Sequence, residues 1–390
     1  MAHRRQSARA AGLTERALYN GARSRRGPVR KEIPWRDPSR PAMAEIDRFR
    51  PDEDRRALEA LYRRIFGNDA ADASRLRWDW QYRRNPGNPD GHPVIYVARE
   101  GPTVVGQYGT MPVRLSVAGR EIEASWGMDL MVAPERQRQG IGEALFRVWD
   151  RHTGASLGLS PSEPSRQLAQ KLRWPGQGPV PCLIKPLTRR AVKQPNWPES
   201  LNNLVSAVTL PIVKIVARTR PLQAQVELAR RFQPEATAFW DRIAPRFDLA
   251  VRRDAPYLNW KFIEAPHVRY SVAILKRDER LEGYAVYRHL QEPRSRVTIL
   301  VDFLVDPEDE AGLDTLLRWV DREARAADSD KIRAYVLHSG FRRQLRKSGY
   351  FSVRSPIDFV VKVNGVEVPP GFYEHHERWH VTLGDSDVDR

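Results

Sequence analysis

From Ala44 onward, apolar and polar positions follow regular periods. Residues 52–66 (DEDRRALEALYRRIF) bring Ala57, Leu58, Leu61, Tyr62, Ile65 and Phe66 onto one face at helical spacing. A second amphipathic piece carries Trp78, Trp80 and Tyr82 and is broken at Asn85-Pro86-Gly87. The runs 93–98 (PVIYVA) and 103–108 (TVVGQY) predict strands joined by a turn at Glu100-Gly101. The runs 112–117 and 121–126 predict a hairpin around Gly119. A mostly apolar strand, 128–132, leads into Pro134. A helix opens at Gly140-Ile141-Gly142, and a short strand (155–159) and a helix ending near Trp174 complete the pattern.

Much of this pattern occurs twice. Leu76-x-Trp78-x-Trp80 reappears 182 residues later as Leu258-x-Trp260-x-Phe262, and a proline follows each (Pro86, Pro266). Val105-Gly106-Gln107-Tyr108 resembles Glu282-Gly283-Tyr284-Ala285. Asp129-x-x-Val132-x-Pro134 recurs as Asp302-x-x-Val305-x-Pro307, and Lys171-x-x-Trp174 as Lys347-x-x-Tyr350. Four matches in the same order indicate a duplicated α/β domain. The expected organisation is a disordered basic arm (1–43), a first domain (44–185), a connector (186–235), a second domain (236–370), and a terminal strand with an acidic tail (371–390).

Charge and composition narrow the function. Residues 1–42 hold eleven Arg or Lys against Glu15, Glu32 and Asp37, half of the +16 net charge, with little apolar content. Such a segment cannot repay its ordering entropy and reads as disordered. It is either a nucleic-acid-binding arm or a dispensable extension preceding Met43, and the second reading is preferred, so no nucleic-acid partner is expected. The single cysteine, Cys182, excludes a disulfide scaffold and a thiolate zinc site and fits a cytoplasmic location. No run of about 18 apolar residues suggests a membrane span. The apolar connector stretch 201–220 reads as an element packed between the domains rather than a membrane-surface helix, because Pro211 and Lys214 interrupt its stripe. His375, His376 and His380 match no metal-ligand spacing, and no metal is expected.

The strongest chemical signal is Val132-Ala133-Pro134-Glu135-Arg136-Gln137-Arg138-Gln139-Gly140-Ile141-Gly142. A strand that runs through a glycine-bearing turn into a helix N-terminus makes an anion cradle of unpaired N–H groups, with Arg136 and Arg138 beside it. It has neither the Gly-Lys-Ser/Thr of a Walker loop nor a third glycine of the dinucleotide fingerprint.

In this context Gln137-x-x-Gly140-x-Gly142 resembles the signature of the GNAT N-acetyltransferase superfamily. The order of elements through about residue 174 matches that family. The resemblance implies two tandem GNAT-like domains, each a mixed, mainly antiparallel sheet flanked by helices. It implies acetyl-CoA or another acyl-CoA as co-substrate, bound by Val132, Gln137, Arg138, Gln139, Gly140, Ile141, Gly142 and Glu143, and transfer of the acyl group to a small-molecule amine. Strand 128–132 would offer an amide to the thioester carbonyl. Asp129 is the candidate base, with Glu123 and Glu163 as further carboxylates. Members of the family commonly place a Tyr acid five residues before the aromatic that ends the last helix. Here that position is Ala169.

The second repeat replaces the glycine loop with Glu308-Asp309-Glu310 and is expected to keep the fold without binding acyl-CoA. Its stretch Arg252–Phe262 resembles tandem-GNAT proteins of cell-envelope and polysaccharide loci. The acceptor is expected between the repeats, with Trp78, Trp80 or Tyr82 on one side and Arg252, Arg253 and Tyr257 on the other, the arginines suiting an anionic acceptor. Two other activities remain open. One is a Fem-type aminoacyl transferase using aminoacyl-tRNA, disfavoured by the intact loop. The other is a non-catalytic acyl-CoA binder.

Overall fold

The computed structural model describes residues 44–192, Ser200 and residues 225–389. The basic arm and the stretch 201–220 lie outside them. The first unit opens with β1 (Glu45–Arg48), α1 (Pro51–Phe66) and α2 (Asn68–Tyr82). Helix α1 has Pro51 and three acidic residues in its first turn and Arg63 and Arg64 in its last, complementing the helix dipole at both ends. Strands β2 (Tyr96–Glu100), β3 (Thr103–Val117) and β4 (Arg120–Val132) form an antiparallel meander. The four runs expected between 103 and 132 are therefore two long strands. After them come α3 (Ile141–Arg151), β5 (Ala155–Leu159), α4 (Glu163–Lys171) and β6 (Gly176–Pro179).

The second unit repeats this order. Strand β7 (Cys182–Pro186) leads towards it. Then follow β8 (Gln225–Leu228), α5 (Glu235–Ile243), β9 (Leu249–Val251) and α6 (Ala255–Leu258), which continues as one π turn to Ile263. Strands β10 (Ser271–Arg277), β11 (Arg280–Glu292) and β12 (Ser295–Val305) form the second meander. Next are α7 (Glu310–Ala326), β13 (Lys331–Tyr335), α8 (Ser339–Lys347) and β14 (Phe351–Val353). Strands β15 (Asp358–Val363) and β16 (Trp379–His380) end the chain. Among the described residues no helix is long and apolar enough to cross a membrane.

The duplication holds in atomic register. Gly106 lies opposite Val132 in the first sheet and Gly283 opposite Val305 in the second. The amides of Trp174 and Tyr350 close equivalent turns on the carbonyls of Ala169 and Leu345. The aromatic match shifts by two residues. Trp80 and Trp260 stack with centroids 4.8 Å apart, and each indole N–H donates to the other's backbone carbonyl, at 2.6 and 2.8 Å. That reciprocity makes Trp80 and Trp260 the equivalent pair, an offset of 180 that Pro86 and Pro266 share.

The expected boundaries at 185 and 236 do not separate two bodies, because each unit gives its last strand to the other. β7 leaves the first unit and pairs with β13 and β14 in the second sheet. β15 leaves the second unit and inserts between β5 and β6 in the first. The two strands begin eight residues after Trp174 and after Tyr350, so the exchange is itself symmetric. β9 also crosses, pairing with β3. One hydrophobic cluster accordingly runs from Trp126 and Leu157 of the first sheet to Leu300 and Ile332 of the second.

The end of the chain is not a solvated acidic tail. His375 and His376 are exposed, but His380, Asp385, Asp387 and Asp389 are buried. Asp385 accepts from Arg253 at 2.8 Å, and Asp389 accepts from Arg288 at 2.6 Å. Buried Lys261 lies over the Trp80 and Trp260 rings and donates to the Ser386 carbonyl at 2.6 Å. A count of charges along the chain cannot show that Asp385 and Asp389 meet arginines of the second unit.

Two outcomes follow. Residues 44–235 and 236–390 expressed separately should each lack an interior strand and fail to give a cooperative melt, whereas the whole chain should melt in one transition. A folded, cooperative half would overturn the exchange. Burial pushes the Lys261 ammonium down to about 8, against the opposing pull of Asp387 and Asp385. Between that value and its ordinary 10.5, the unfolded chain binds more protons than the folded one, so this group adds stability as pH rises. Urea melts of wild type and Lys261→Met should therefore show wild type gaining on the variant from about pH 8 to pH 10, and parallel curves would refute the assignment.

Candidate active site

The loop between β4 and α3 is built to leave its N–H groups open. Residues 134–136 form a single 3₁₀ turn, Arg138 sits at φ +63°, and Gly140 at φ +85° starts α3. Among the described residues no side chain caps this helix, and its first intrahelical bond runs from Ala144 to Gly140. The loop is stiffened from within by Gln137, which donates to the Val132 carbonyl at 3.2 Å, and by Gln139, which donates to Glu135 at 3.1 Å. Gly140 needs its positive φ. Gly142 does not, and a Cβ there would meet only the Val132 side chain at 3.7 Å. The protein itself leaves that space, which fits a phosphate lying against the backbone.

Not every neighbouring charge faces the cradle. Arg136 is turned to Glu100 at 2.8 Å, leaving Arg138 as the exposed cation of the pair. Glu143 is held by Arg147 and Lys171. Burial works against its charge, but the two cations outweigh it and keep its carboxyl below the usual range.

In the second unit the equivalent cradle is filled. The Asp309 carboxylate accepts from the Gly312 N–H at 3.0 Å and pairs with Arg277 at 2.7 Å. It lies so close that a Cβ on Gly312 would meet it at 2.2 Å. Glu308 and Glu310 turn outward to Arg246 and Lys347. One internal carboxylate thus takes the anion's place, rather than three repelling it.

The sheets differ in the same way. In the first, the parallel strands β4 and β5 pair only at Ser125–Ser156 and Trp126–Leu157 and then part. In the second, β12 and β13 pair up to Leu300–Ala334, and beyond that the chain's own end lies between them. Thr382 bridges to Val336, and Val381 accepts from the Leu337 amide at 3.0 Å. On the other side His380 donates to the Phe303 carbonyl at 3.0 Å, and Thr382 donates to Asp302 at 2.7 Å. Gly384 allows the approach, since a Cβ would come within 3.0 Å of Asp302 and Phe262.

Asp129 marks a bulge at the mouth of the first sheet. The β3–β4 register passes from Gln107–Met131 to Gly109–Met128, skipping Asp129 and Leu130, and Asp129 adopts φ +47°. Its carboxylate is buried and accepts from the Tyr82 hydroxyl at 2.8 Å and from the Gln81 amide at 3.4 Å. The Gln107 amide donates to its backbone carbonyl at 3.2 Å. Burial, then Asp129 and Asp387, push the Tyr82 phenol well above its ordinary pKa, so it remains a donor. Gly109 permits this contact, because a Cβ there would meet the phenol oxygen at 2.2 Å. From Asp129 a narrow cleft runs outward between α1 and α2, past Tyr82 and Trp78 to Arg55 and Arg75.

The other expected site residues lie elsewhere. Trp80 and Tyr257 are in the core between the units. Arg252 is bound by Glu121, Asp241 and Asp254. Arg253 is fully buried between Asp302 and Asp385. Burial opposes its charge, but these carboxylates hold its pKa well above the usual value. Both arginines thus already have carboxylate partners within the protein. Glu123 is exposed on β4, six residues and roughly 20 Å along the strand from Asp129. Glu163 is exposed, and the hydrogen bond from Arg166 lowers its pKa, making it a poorer base. Ala169 is wholly buried. Gln81 and Gln107 were not apparent from the sequence, since neither motif nor period connects them to Asp129.

This geometry, an open cradle beside a bulged, parting strand, belongs to an acyltransferase class of fold. Residues 46–153 match the family model described as an acetyltransferase (GNAT) domain, so the chain carries a GNAT domain there. No protein of curated function matches the sequence. Three solved structures share the fold across both units. One is Saccharomyces cerevisiae N-myristoyltransferase with bound myristoyl-CoA, 13% identical, covering 87% of this chain and 87% of that one, with a TM-score of 0.51. The second is a GCN5-related N-acetyltransferase from Anabaena variabilis, 10% identical, covering 80% and 70%, with a TM-score of 0.52. The third, from Enterococcus faecalis, is described as a probable N-acyltransferase; it is 10% identical, covering 82% and 72%, with a TM-score of 0.53. At these identities the likeness is one of fold.

Calorimetry with acetyl-CoA should return one site per chain. Gly142→Val should weaken that binding about tenfold or more while leaving the melting temperature within about two degrees. Two equivalent sites, or unchanged affinity in the folded variant, would refute the assignment of the cradle.

Proposed function

We propose that this protein is an acyl-CoA-dependent N-acyltransferase with one active centre, in the first unit, and a second unit that serves as scaffold. The observation that carries this reading is the contrast between two copies of one fold. The first keeps its cradle and its strand gap open, and the second fills both with its own residues. The pyrophosphate would lie on the amides of 138–143, with Arg138 beside it, and the acyl arm would run along the parted edge of β4. Acyl-CoA supplies the activated thioester carbon. The chain orients it, offers a backbone donor at the bulge to the developing oxyanion, and admits the amine through the α1–α2 cleft.

At the inner end of that cleft, Asp129 takes the proton lost by the attacking amine, and the Tyr82 hydroxyl holds its carboxylate in place. With Ala169 at the position where the family commonly has a phenol, the departing thiolate receives its proton from water in the cleft. A carboxylate kept at a bulged, positive-φ position is consistent with backbone strain held for function. The resemblance of Arg252–Phe262 to cell-envelope proteins gives no support for an acceptor, because those side chains are used in packing. The acceptor is an amine of a size that this cleft admits.

Asp129→Asn should lower kcat by about 10²–10⁴-fold with the acetyl-CoA dissociation constant unchanged, and Glu123→Gln should behave as wild type. Thiol release in the presence of an amine panel measures both. Full activity in Asp129→Asn would remove it as the base. A protein that binds acetyl-CoA yet acylates no amine would instead be the non-catalytic binder.

A further inference from the structure

Two buried guanidinium groups, those of Arg77 and Arg253, differ in kind. Arg253 has a carboxylate on each side, at 2.8 and 3.1 Å. Arg77, on α2, is only 3% exposed and forms no ion pair among the described residues. Its Nε and Nη2 are both buried without a hydrogen-bond partner. These two N–H groups lie on one edge of the guanidinium plane and form the parallel fork that receives both oxygens of a carboxylate. A buried charge left in this state is costly, and folding alone gives no reason to keep it.

The surroundings point the same way. Arg77 is close enough to the Tyr82 hydroxyl to oppose part of its pKa rise. One turn along α2, on the same face and about 6 Å away, Gln81 points its amide nitrogen at Asp129 while its Oε1 is buried without a partner. An empty fork for an anion thus stands one turn from an empty acceptor for an N–H, and the second lies beside the carboxylate assigned to take the amine's proton.

We propose that Arg77 binds a carboxylate of the acceptor, so that the substrate class is a short amine bearing a carboxylate, such as an amino acid. This rests on the N-acyltransferase reading. The anionic acceptor expected from Arg252 and Arg253 is retained, and its binding residue becomes Arg77. The carboxylate lies on the Nε–Nη2 edge, and the amine lies between Gln81 Oε1 and Asp129. Arg77 is a binding residue and takes no part in proton transfer.

The test compares amino acids with their own amides, which lack the anion, as acceptors of acetyl-CoA. Wild type should favour the acids by about tenfold or more in kcat/KM, the effect of a charge-assisted bidentate pair. Arg77→Met should erase that preference, leave acetyl-CoA affinity unchanged, and melt a few degrees higher than wild type without ligand, because an unpaired buried charge has been removed. A merely structural arginine would instead give a lower melting point and an unaltered preference. Arg77→Lys keeps the charge without the fork and should also lose most of the preference, which covers the case in which the Met variant does not fold. Equal use of acids and amides by wild type, or a preference that survives in either variant, overturns the proposal. If no amine is acylated, the acyltransferase reading fails on its own. The anion site is then decided by melting with the same amino acids: stabilisation of wild type but not of Arg77→Met sustains it, and equal shifts refute it.

Discussion

The exchange of terminal strands between the two units is the constraint on which the rest of the molecule depends. β15 completes the first sheet between β5 and β6, and β7 completes the second between β13 and β14. Neither sheet can therefore close before both halves of the chain are present. The exchange also fixes the units at one separation, at which Trp80 and Trp260 stack and each satisfies its indole N–H on the other's backbone. Buried indole donors need such partners. Here the symmetry of the duplication supplies them, with the two residues filling each other's requirement.

On this symmetric frame the two copies have diverged by filling. Asp309 and the segment from Trp379 to Asp385 occupy, in the second unit, the places left open in the first. The filled copy is therefore a close internal reference for the open one. A helix N-terminus satisfied by a carboxylate held by Arg277 shows what the N-terminus of α3 lacks. The same logic separates Arg253, held between two carboxylates, from Arg77, which forms no ion pair among the described residues. Comparing like with like inside one chain gives these absences their weight.

The centre assigned to the first unit joins parts from distant stretches of chain. The loop after β4 provides the cradle, the β3–β4 bulge provides Asp129, and α1 and α2 wall the cleft. Helix α2 has two sides in this arrangement: Trp78 and Tyr82 line the cleft, while Trp80 packs against the second unit. The second unit thus bears on the site by positioning α2, without lining the cleft itself.

The local features were legible in the sequence because they depend on neighbours along the chain. The periodicity of 52–66, the glycines at 140 and 142, the duplicated Asp-x-x-Val-x-Pro strand and the closing Trp174 and Tyr350 all reappear as elements or turns at those positions. Only the tertiary structure could decide what meets across space. Short strands such as β7 and β15 carry no mark of the sheet they will join, because every non-proline residue offers the same backbone N–H and C=O to a neighbour. The carboxylates of Asp385, Asp387 and Asp389 look solvated until buried cations are found around them. Arg252, Arg253 and Arg77 are chemically identical in sequence, and what distinguishes them is the number of carboxylates that the fold brings to each.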